Sequence, residues 1–542
     1  MVNRPDRPTP PTSQQDESIS AMMGIIAQPD EGTSHVVSPA IADDDRVFQE
    51  YLSNTSTAQK RRMVKFHLNL GQPTRHARQI LFNIVPKRGE RETESRSIAA
   101  SSFEVIEKLI DPYQDDLITL FFEKINICFP IFDEGLFRRV FAAQKEKISP
   151  GLLAFLYGNT LIYWDTSPLL STVRCPDHRT IWTLAEDALV EELHSTPTIS
   201  TIITIILNVG GRPSTHPLWN GGLLGLAVAL ANSFGLNRDP SDWNLSPSEK
   251  KFRMRIWWLL IIYDRWCSMA YGSPTLIQDS QHDVPILTID NISNPGMPRD
   301  QIFAASCFIA LITLTEVLGR CLEHVYDVGK ASSKPAMTPI ALENMLAGWE
   351  DSLDDTLRRL VIRGTQIVGA GAANLRLSYL SVKLLIRRIQ LDWDKMSFQI
   401  EDTDSEHYIQ ARRICEEIVD FVRELNETHC RDFWIPQLAY TLTSATTFLM
   451  RCALNSRVAL NNAPLKLARL MVDALQFHRR SYEWDIADNC LSNCCDLVEK
   501  IEAGFNEASP SNTLDLGDLL PVDMDMDIAA LNGLFPEFAT NF

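Results

Sequence analysis

Two clusters of aspartates are the residues whose types and spacing could most readily support catalysis. Paired carboxylates can hold a divalent metal and a diphosphate, which is the chemistry of all-α terpene cyclases. The clusters are Asp111, Asp115 and Asp116 in "DPYQDD", and Asp351, Asp354 and Asp355 in "EDSLDD". Neither has the Asp-Asp-x-x-Asp order that places carboxylates one helical turn apart on one face. We therefore interpret both clusters as solvated acids on helix surfaces.

Other catalytic patterns are missing from the sequence. It contains no Walker loop, Gly-x-Gly-x-x-Gly, Gly-x-Ser-x-Gly or His-Glu-x-x-His, and no two of its eleven histidines are four residues apart. The glycine-containing stretch "VGAGAANL", residues 368 to 375, follows no predicted strand, so we interpret it as a loop. We predict that the protein is not an enzyme and has no catalytic or cofactor-binding residue.

The cysteines are the remaining candidates for metal binding. In "CLSNCC", Cys490 and Cys494 share one helix face, and Cys495 lies off that face. A structural zinc site needs four ligands, usually from two short Cys or Cys/His pairs, and no second pair is near in sequence. We predict buried thiols and no metal here, although distant ligands stay open. Eleven cysteines scattered through apolar segments are typical of a reduced, intracellular protein.

The stretch "RIWWLLIIYDRWCSMAYGSP", residues 255 to 274, places an Asp264–Arg265 pair after a large apolar run. Only eight consecutive residues, Ile256 to Tyr263, are apolar, whereas a bilayer span needs about 20. The uncharged stretch from Leu218 to Leu236 is longer, but it contains two asparagines and paired glycines. We predict a buried helix for that stretch and no association with a membrane.

Hydrophobic periodicity predicts an all-α fold. From residue 101 to residue 505 most segments carry the 3.6-residue period of amphipathic helices, and period-2 runs are almost absent. In "YIQARRICEEIVDFVREL" one stripe contains Ile409, Ile414, Ile418, Phe421, Val422 and Leu425. We predict one large irregular multi-helix domain over 101–505, with two packed helical lobes as the alternative because its size exceeds that of a usual single core. Residues 1–45, which are polar and proline-rich, are predicted to be disordered, as an N-terminal flank.

The segment 46–100, predicted to be a partly ordered linker, is basic, although the whole chain has a net charge of -18. From Lys60 to Arg91, nine Lys and Arg residues face a single acid, Glu90. The run "KRRMVK" could serve as a nuclear-import signal or contact phosphates, and the alternative is a solvated helix face. The candidate residues are Lys60, Arg61, Arg62 and Lys65.

The C-terminal segment, residues 506–542, alternates acids with bulky apolar residues. From residue 511 onward it contains six acids and no Lys or Arg. This composition is typical of a disordered activation segment that folds on a partner, and Pro521 weakens the alternative of a docked helix. The candidate residues are Asp515, Asp518, Asp523, Asp525, Asp527, Leu531, Leu534, Phe535 and Phe538.

Several stretches, in order, resemble the regulatory "middle homology" domain of fungal zinc-cluster transcription factors. "LFFEKINICFPIFDEGLF", residues 120 to 137, is similar to the opening of that domain. "GLLGLAVALANSFGLNRDPSDWNLSPSEKKFRMRIWWLLIIYDRWCSMAYGSP" follows the family's order of an alanine-rich helix, a Gly-Leu-x-Arg-Asp turn, Arg-x-Arg-Ile-Trp-Trp, Asp-Arg and Gly-x-Pro. The core-motif residues are Arg253, Arg255, Trp257, Trp258, Asp264, Arg265, Gly272 and Pro274. "FWIPQLAYTLTSATTFLMRCAL", residues 433 to 454, is similar to a later helix.

The same residues also have a physical interpretation. Ser246 and Glu249 form a capping box for the tryptophan-bearing helix. Ala227, Ala229 and Ala231 let a neighbouring helix approach it closely. Asp264 and Arg265 are two partly buried ionic residues, and we predict that they find their partners among neighbouring helices.

The resemblance implies a nuclear transcriptional regulator whose partners are the transcriptional machinery or co-activators. Family members usually begin with a DNA-reading cluster of six cysteines and two zinc ions, whereas the first cysteine here is Cys128. We therefore expect no cofactor in this chain, with zinc only if an N-terminal cluster is missing from it. DNA contact is expected through that cluster, through a DNA-binding partner or homodimer, or weakly and nonspecifically through the basic segment.

We interpret the protein as a regulator, in the activator sense, of a fungal metabolic or secondary-metabolite pathway. The alternative is an all-α enzyme or small-molecule sensor with a pocket between helical lobes. A repressor or co-regulator that only dimerises is a third possibility. A filled core around Trp257, Trp258 and Trp266 would favour the regulator, and a deep apolar cavity ringed by ionisable groups would favour the alternative.

Overall fold

The structure is a computed structural model of the chain. It describes residues 33–36, 82–85, 92–194, 197–213, 216–243, 245–293, 296–327, 337–398, 405–455 and 462–507. The predictions for Lys60 to Lys65 and for residues 508–542, and those for most of 1–45 and 46–91, fall outside the described residues.

The all-α prediction is confirmed. The described helices are α1 Glu92–Ile110, α2 Gln114–Leu120, α3 Glu134–Gln144, α4 Pro150–Thr160, α5 His178–His194, α6 Ile199–Val209, α7 Pro217–Ser233, α8 Pro247–Tyr271 and α9 Ile289–Ile292. They continue with α10 Arg299–Val325, α11 Pro339–Ser352, α12 Asp355–Arg363, α13 Ala372–Phe398, α14 Glu406–Glu424, α15 Glu427–Cys430, α16 Ala439–Asn455, α17 Ala463–Tyr482 and α18 Asp488–Glu507. A π-helical turn, Phe121–Asn126, directly continues α2.

Many helix starts follow from local sequence. Side-chain oxygens of Asp133, Ser149, Thr338 and Asp354 accept the backbone N–H groups that the first turns of α3, α4, α11 and α12 leave unpaired. Proline occupies the first turn of α4, α7, α8, α11 and α17, where its missing N–H costs nothing.

Two short strands were not predicted. β1, Thr33–Val36, pairs antiparallel with β2, Phe82–Val85, in the register Thr33↔Val85 and Val36↔Phe82. Phe82 is buried against Trp243, with 5.8 Å between ring centroids. Residues 33–36 therefore form a strand inside the segment predicted to be disordered, and the reason is a tertiary contact with the turn that precedes α8.

The described residues form two compact units. The first comprises residues up to Ser378 together with Asp432–Pro436, and the second comprises Tyr379–Arg431 with residues from Gln437. In the first unit, α4 and α6 are buried along their whole length. They contact each other, and α6 also contacts α7 and α8. The Glu192 carboxylate on α5 accepts the Ser149 and Thr201 hydroxyls at 2.5 Å each, which fastens the starts of α4 and α6 to α5.

In the second unit, α14, α16, α17 and α18 pack on one another. The stripe predicted on α14 is buried except at its first member, since Ile409 is 41% exposed. Cys490 and Cys494 of α18 are free thiols with 0% exposure, as predicted, and the Cys490 Sγ lies 3.3 Å from the Thr446 hydroxyl.

Two of the described helices, α7 and α10, are apolar over most of their length. α10 is long and apolar enough to cross a membrane by length and composition, because it contains an 18-residue window with a mean hydropathy of 2.0. However, 67% of this window is buried inside the protein. α7 is only half buried, contrary to prediction, because Leu218, Trp219 and Leu226 are 76%, 44% and 38% exposed. Its composition is apolar on every face, so no periodic pattern marks the face that points outward.

Candidate functional site

α8 carries the core motif and begins as its sequence predicts. The Ser246 hydroxyl accepts the Glu249 backbone N–H at 3.2 Å, which is the first half of the predicted capping box. Gly272 ends the helix in the left-handed conformation, at φ 72°, and its N–H donates to the Ser268 carbonyl at 3.1 Å. Glycine adopts this conformation without the steric strain that a side chain would bring. Gly272 and Pro274 are both exposed, so they serve the turn and line no site.

The tryptophans of α8 form a filled core. Trp257, Trp258 and Trp266 are 1%, 1% and 0% exposed. The Trp258 indole N–H donates to the Pro285 carbonyl at 2.8 Å, and that of Trp266 donates to the Thr315 hydroxyl on α10 at 3.0 Å. These hydrogen bonds satisfy the polar edges of two large buried rings and fix the rings to neighbouring segments.

Asp264 anchors the loop after α8. Its two carboxylate oxygens accept the backbone N–H groups of Leu276 and Ile277 at 2.8 and 3.0 Å. Burial raises the pKa of Asp264 to about 6, against the opposing effects of those two N–H groups and of Arg265. The prediction that Asp264 has partners on neighbouring helices is wrong, because its side chain accepts hydrogen bonds from the backbone of a loop.

Arg265 pairs with a different acid. Its guanidinium contacts Asp279 and donates to the Thr315 carbonyl at 3.2 Å. Asp279 also accepts from Arg320 on α10, at 2.7 Å. The prediction of a partner on a neighbouring helix is therefore confirmed for Arg265, since Thr315 lies on α10. Asp264 and Arg265 reach different partners because successive helical residues point in directions about 100° apart. Arg265 joins α8 to the loop and to α10.

The two arginines before the tryptophans lie on different faces of α8, and both are buried. Arg253 donates to the Phe234 carbonyl, and its guanidinium lies 4.8 Å from the centre of the Trp243 ring. Arg255 lines a separate cavity with Asp133 and Lys251. Burial lowers the pKa of each arginine to about 10, so both stay charged at neutral pH.

The turn after α7 holds the end of the loop that follows α8, residues 272–284, which contains Asp279 and Asp283 and which we call the acidic loop. Arg238 and Asp283 form an ion pair at 2.7 Å, and the Asp239 N–H donates to the same carboxylate, also at 2.7 Å. The Asn237 side chain donates to the Gln281 carbonyl at 3.0 Å. These contacts join the Gly-Leu-x-Arg-Asp turn to the acidic loop, although Arg238 and Asp283 are 45 residues apart in sequence.

α7 packs against α8, but not through all three predicted alanines. Ala227 and Ala231 are fully buried, whereas Ala229 is exposed. Positions four apart share a helix face, and position 229 lies on the other side.

The opening stretch of the resemblance, residues 120 to 137, folds back on itself. Phe129, Ile131 and Phe137 are all buried. The Asn126 side chain accepts the N–H groups of Ile131 and Phe132 at 2.9 Å each, which closes the turn around Pro130. The Phe129 ring contacts the rings of Tyr263 and Phe308, so this turn belongs to the same core as α8.

Sequence reasoning missed Thr315, Gly319, Asp279 and Arg320, which complete the core around α8. A Cβ atom on Gly319 would lie 2.7 Å from the Arg265 guanidinium, so α10 needs a glycine there. The spacing of Thr315 and Gly319 by one helical turn in an apolar helix was the available signal. Among the described residues, no group of three or more His, Cys, Asp or Glu is arranged to hold a metal ion.

This arrangement holds segments of the chain together, because each charged side chain at the end of α8 has a partner in a loop or helix of the same unit.

Comparison with known proteins identifies the region of the chain that contains α8. Residues 118–351 match the family model described as the fungal specific transcription factor domain. This range includes the opening turn, α8 and the acidic loop, and it is narrower than the region of resemblance noted in the sequence.

Curated relatives cover more of the chain. An uncharacterized transcriptional regulatory protein of Schizosaccharomyces pombe is 24% identical over 68% of this chain and 55% of its own length. The transcriptional activator protein DAL81 of Saccharomyces cerevisiae is 23% identical over 61% of this chain and 38% of its own. An ABC-transporter-regulating transcription factor of Aspergillus fumigatus is 23% identical over 45% and 29%.

The chain thus spans about half, or less, of the length of these curated relatives. The range matched by the family model contains the core motif and the contacts described above. Residues 118–351 are therefore a fungal specific transcription factor domain.

Proposed function

We propose that the protein is a nuclear transcriptional regulator that activates genes of a fungal metabolic or secondary-metabolite pathway. The observation that carries this proposal is the domain match at residues 118–351. Relatives named as a transcriptional activator and as a transporter-regulating transcription factor support it. The filled core around Trp257, Trp258 and Trp266 supports a regulatory scaffold over the enzyme alternative.

In this proposal residues 511–542 recruit co-activators or the transcriptional machinery. Interleaved acids and bulky apolar residues suit a segment that lays its apolar side chains into a partner's groove. DNA contact comes through a zinc cluster outside this chain, or through a DNA-binding partner or a second copy. The basic segment adds nonspecific phosphate contacts.

Fusing residues 505–542 to a heterologous DNA-binding domain is expected to activate a reporter well above the binding domain alone. Changing Leu531, Leu534, Phe535 and Phe538 to alanine should abolish most of that activation, because the apolar contacts supply the affinity. The matched control changes Ser511, Asn512, Thr513 and Asn541 to alanine and should retain it. No activation by the unchanged fusion would remove this part of the proposal.

The nuclear location is tested with the full chain fused to a fluorescent protein. Changing Lys60, Arg61, Arg62 and Lys65 to alanine should lower the nuclear-to-cytoplasmic ratio of fluorescence severalfold, because an import signal depends on its clustered positive charge. Changing Arg78, Lys87, Arg88 and Arg91 to alanine removes the same number of positive charges, so it is the matched control and should leave the ratio unchanged. An unchanged protein that stays in the cytoplasm would contradict the proposal.

A further inference from the structure

A small cavity lies beside the first three turns of α8. It has a volume of about 100 Å³ and is partly open to solvent. Ser248, Lys251 and Arg255, spaced three and four residues apart on one face of α8, form its polar side. Its other walls come from the start of α3 and from the end of α9, and they include the apolar side chains of Phe132, Leu136 and Ile292.

Arg255 is the unusual member of this lining. Only 7% of it is exposed, and its buried Nε has no hydrogen-bond partner. Within the described part of the chain, no hydrogen bond or ion pair within 4.0 Å reaches its guanidinium. Its neighbour in the motif, Arg253, is held by a carbonyl and an aromatic ring. Burying a charge without a partner is costly, so this arrangement calls for an anion in the cavity.

The charges around the cavity are unequal. Lys251 donates to the Asp290 carbonyl, which is neutral and leaves the ammonium charge uncompensated. Asp133 is the acidic member of the lining, and its carboxylate already accepts the Leu136 N–H at 2.8 Å as the cap of α3. Burial lowers the pKa of Arg255 to about 10, with Asp133 opposing, so the guanidinium is charged at neutral pH. Two cations against one acid leave the cavity positive.

We propose that this cavity binds a small organic carboxylate. Arg255 and Lys251 hold the carboxylate group, and Phe132, Leu136 and Ile292 contact a short carbon chain. The planar guanidinium matches a carboxylate in a two-bond arrangement. Apolar walls in so small a space favour a carboxylate with a few carbon atoms over a hydrated inorganic phosphate. This site goes beyond the proposed function, because it would let the domain respond to a metabolite. Ligand binding can be measured whether or not the protein regulates genes, so the two proposals can fail independently.

The test is thermal unfolding of the full chain with acetate, butyrate, succinate or inorganic phosphate. Sodium chloride keeps the ionic strength constant, and the protein in sodium chloride alone is the reference. Butyrate or succinate is expected to raise the Tm by about 2 °C or more near saturation, and phosphate by less. Lys251→Met, at the partly exposed rim, should weaken binding by about tenfold through the loss of one charged hydrogen bond. Arg255→Met should remove the shift altogether.

Further variants separate binding from folding. Leu136→Trp fills the cavity and should abolish the shift, whereas Leu218→Trp, at a residue that is 76% exposed, should retain it. Arg253→Met removes a buried arginine outside the cavity, so it should lower the Tm but keep the ligand-induced increase. The proposal is overturned if no carboxylate shifts the Tm of the unchanged protein, if phosphate shifts it more than every carboxylate, or if Leu136→Trp leaves the shift intact.

Discussion

Replacing Asp264 by alanine is expected to lower the free energy of unfolding by about 3 kcal/mol at pH 7. The carboxylate is 2% exposed and accepts the N–H groups of Leu276 and Ile277. Alanine would leave both donors without their acceptor, and at the buried Ile277 water cannot easily replace it. Because the loop would also detach from α8, the effect should exceed that of a surface substitution several times over.

The measurement is urea unfolding followed by circular dichroism and by tryptophan fluorescence, which reports on the rings of α8. The matched control is Asp187→Ala on α5, since Asp187 is exposed and lies in a helix interior. There the change should stay within about 0.5 kcal/mol of the unchanged protein. If both variants lose equally little stability, Asp264 does not fasten the loop.

The pH dependence of stability provides a second readout of the same residue. Its folded-state pKa, about 6, exceeds its ordinary value of 3.8. The native state therefore holds this proton more tightly than the unfolded state does, and the associated stability is complete below pH 3.8 and lost as the pH rises through 6. The loss amounts to about 3 kcal/mol for a shift of this size.

Asp264→Asn replaces the titratable carboxyl group by an amide of nearly the same shape. The difference in unfolding free energy between the unchanged protein and this variant should therefore decrease between pH 4 and pH 6, and stay level above pH 7. A difference that rises with pH over that range would mean that the two backbone N–H groups outweigh burial.

The sequence predicts those features of the fold that depend on residues close together in the chain. The period of 3.6 residues identifies the helices, and Ser246 with Pro247 marks the start of α8 because capping needs only residues within one turn. Gly272 marks its end for the same reason. The burial of Trp257, Trp258 and Trp266 follows from their place in an apolar helix.

What could not be predicted depends on contacts between distant segments. β1 and β2 pair across 46 or more positions of sequence, and their register needs a partner that periodicity does not reveal. Asp264 and Arg265 are adjacent in sequence, yet their partners are a loop backbone and Asp279. The cavity beside Arg255 exists because α3, α8 and α9 meet there, and no motif states that they do.

Replacing Gly210 by alanine is expected to lower the free energy of unfolding by about 3 kcal/mol, the upper part of the range for an overpacked core. Gly210 follows α6, and a Cβ atom there would lie 2.1 Å from the Tyr263 oxygen and 2.7 Å from its ring carbon Cζ. Tyr263 is 2% exposed and sits in the middle of α8, so neither the ring nor the helix can move aside without disturbing the tryptophan core.

Urea unfolding of the unchanged protein and four variants tests this close approach. Gly222→Ala is the control, because nothing lies within 4 Å of its Cβ position and α7 is helical there. It should stabilise the protein by about 0.5–1 kcal/mol through helix propensity alone. Tyr263→Phe removes the atom nearest to the new methyl group, so combining it with Gly210→Ala should recover part of the loss and give a double-mutant coupling of about 1 kcal/mol. Equal stability of Gly210→Ala and Gly222→Ala would show that α6 and α8 do not approach at this point, and the core around α8 would have to be packed differently.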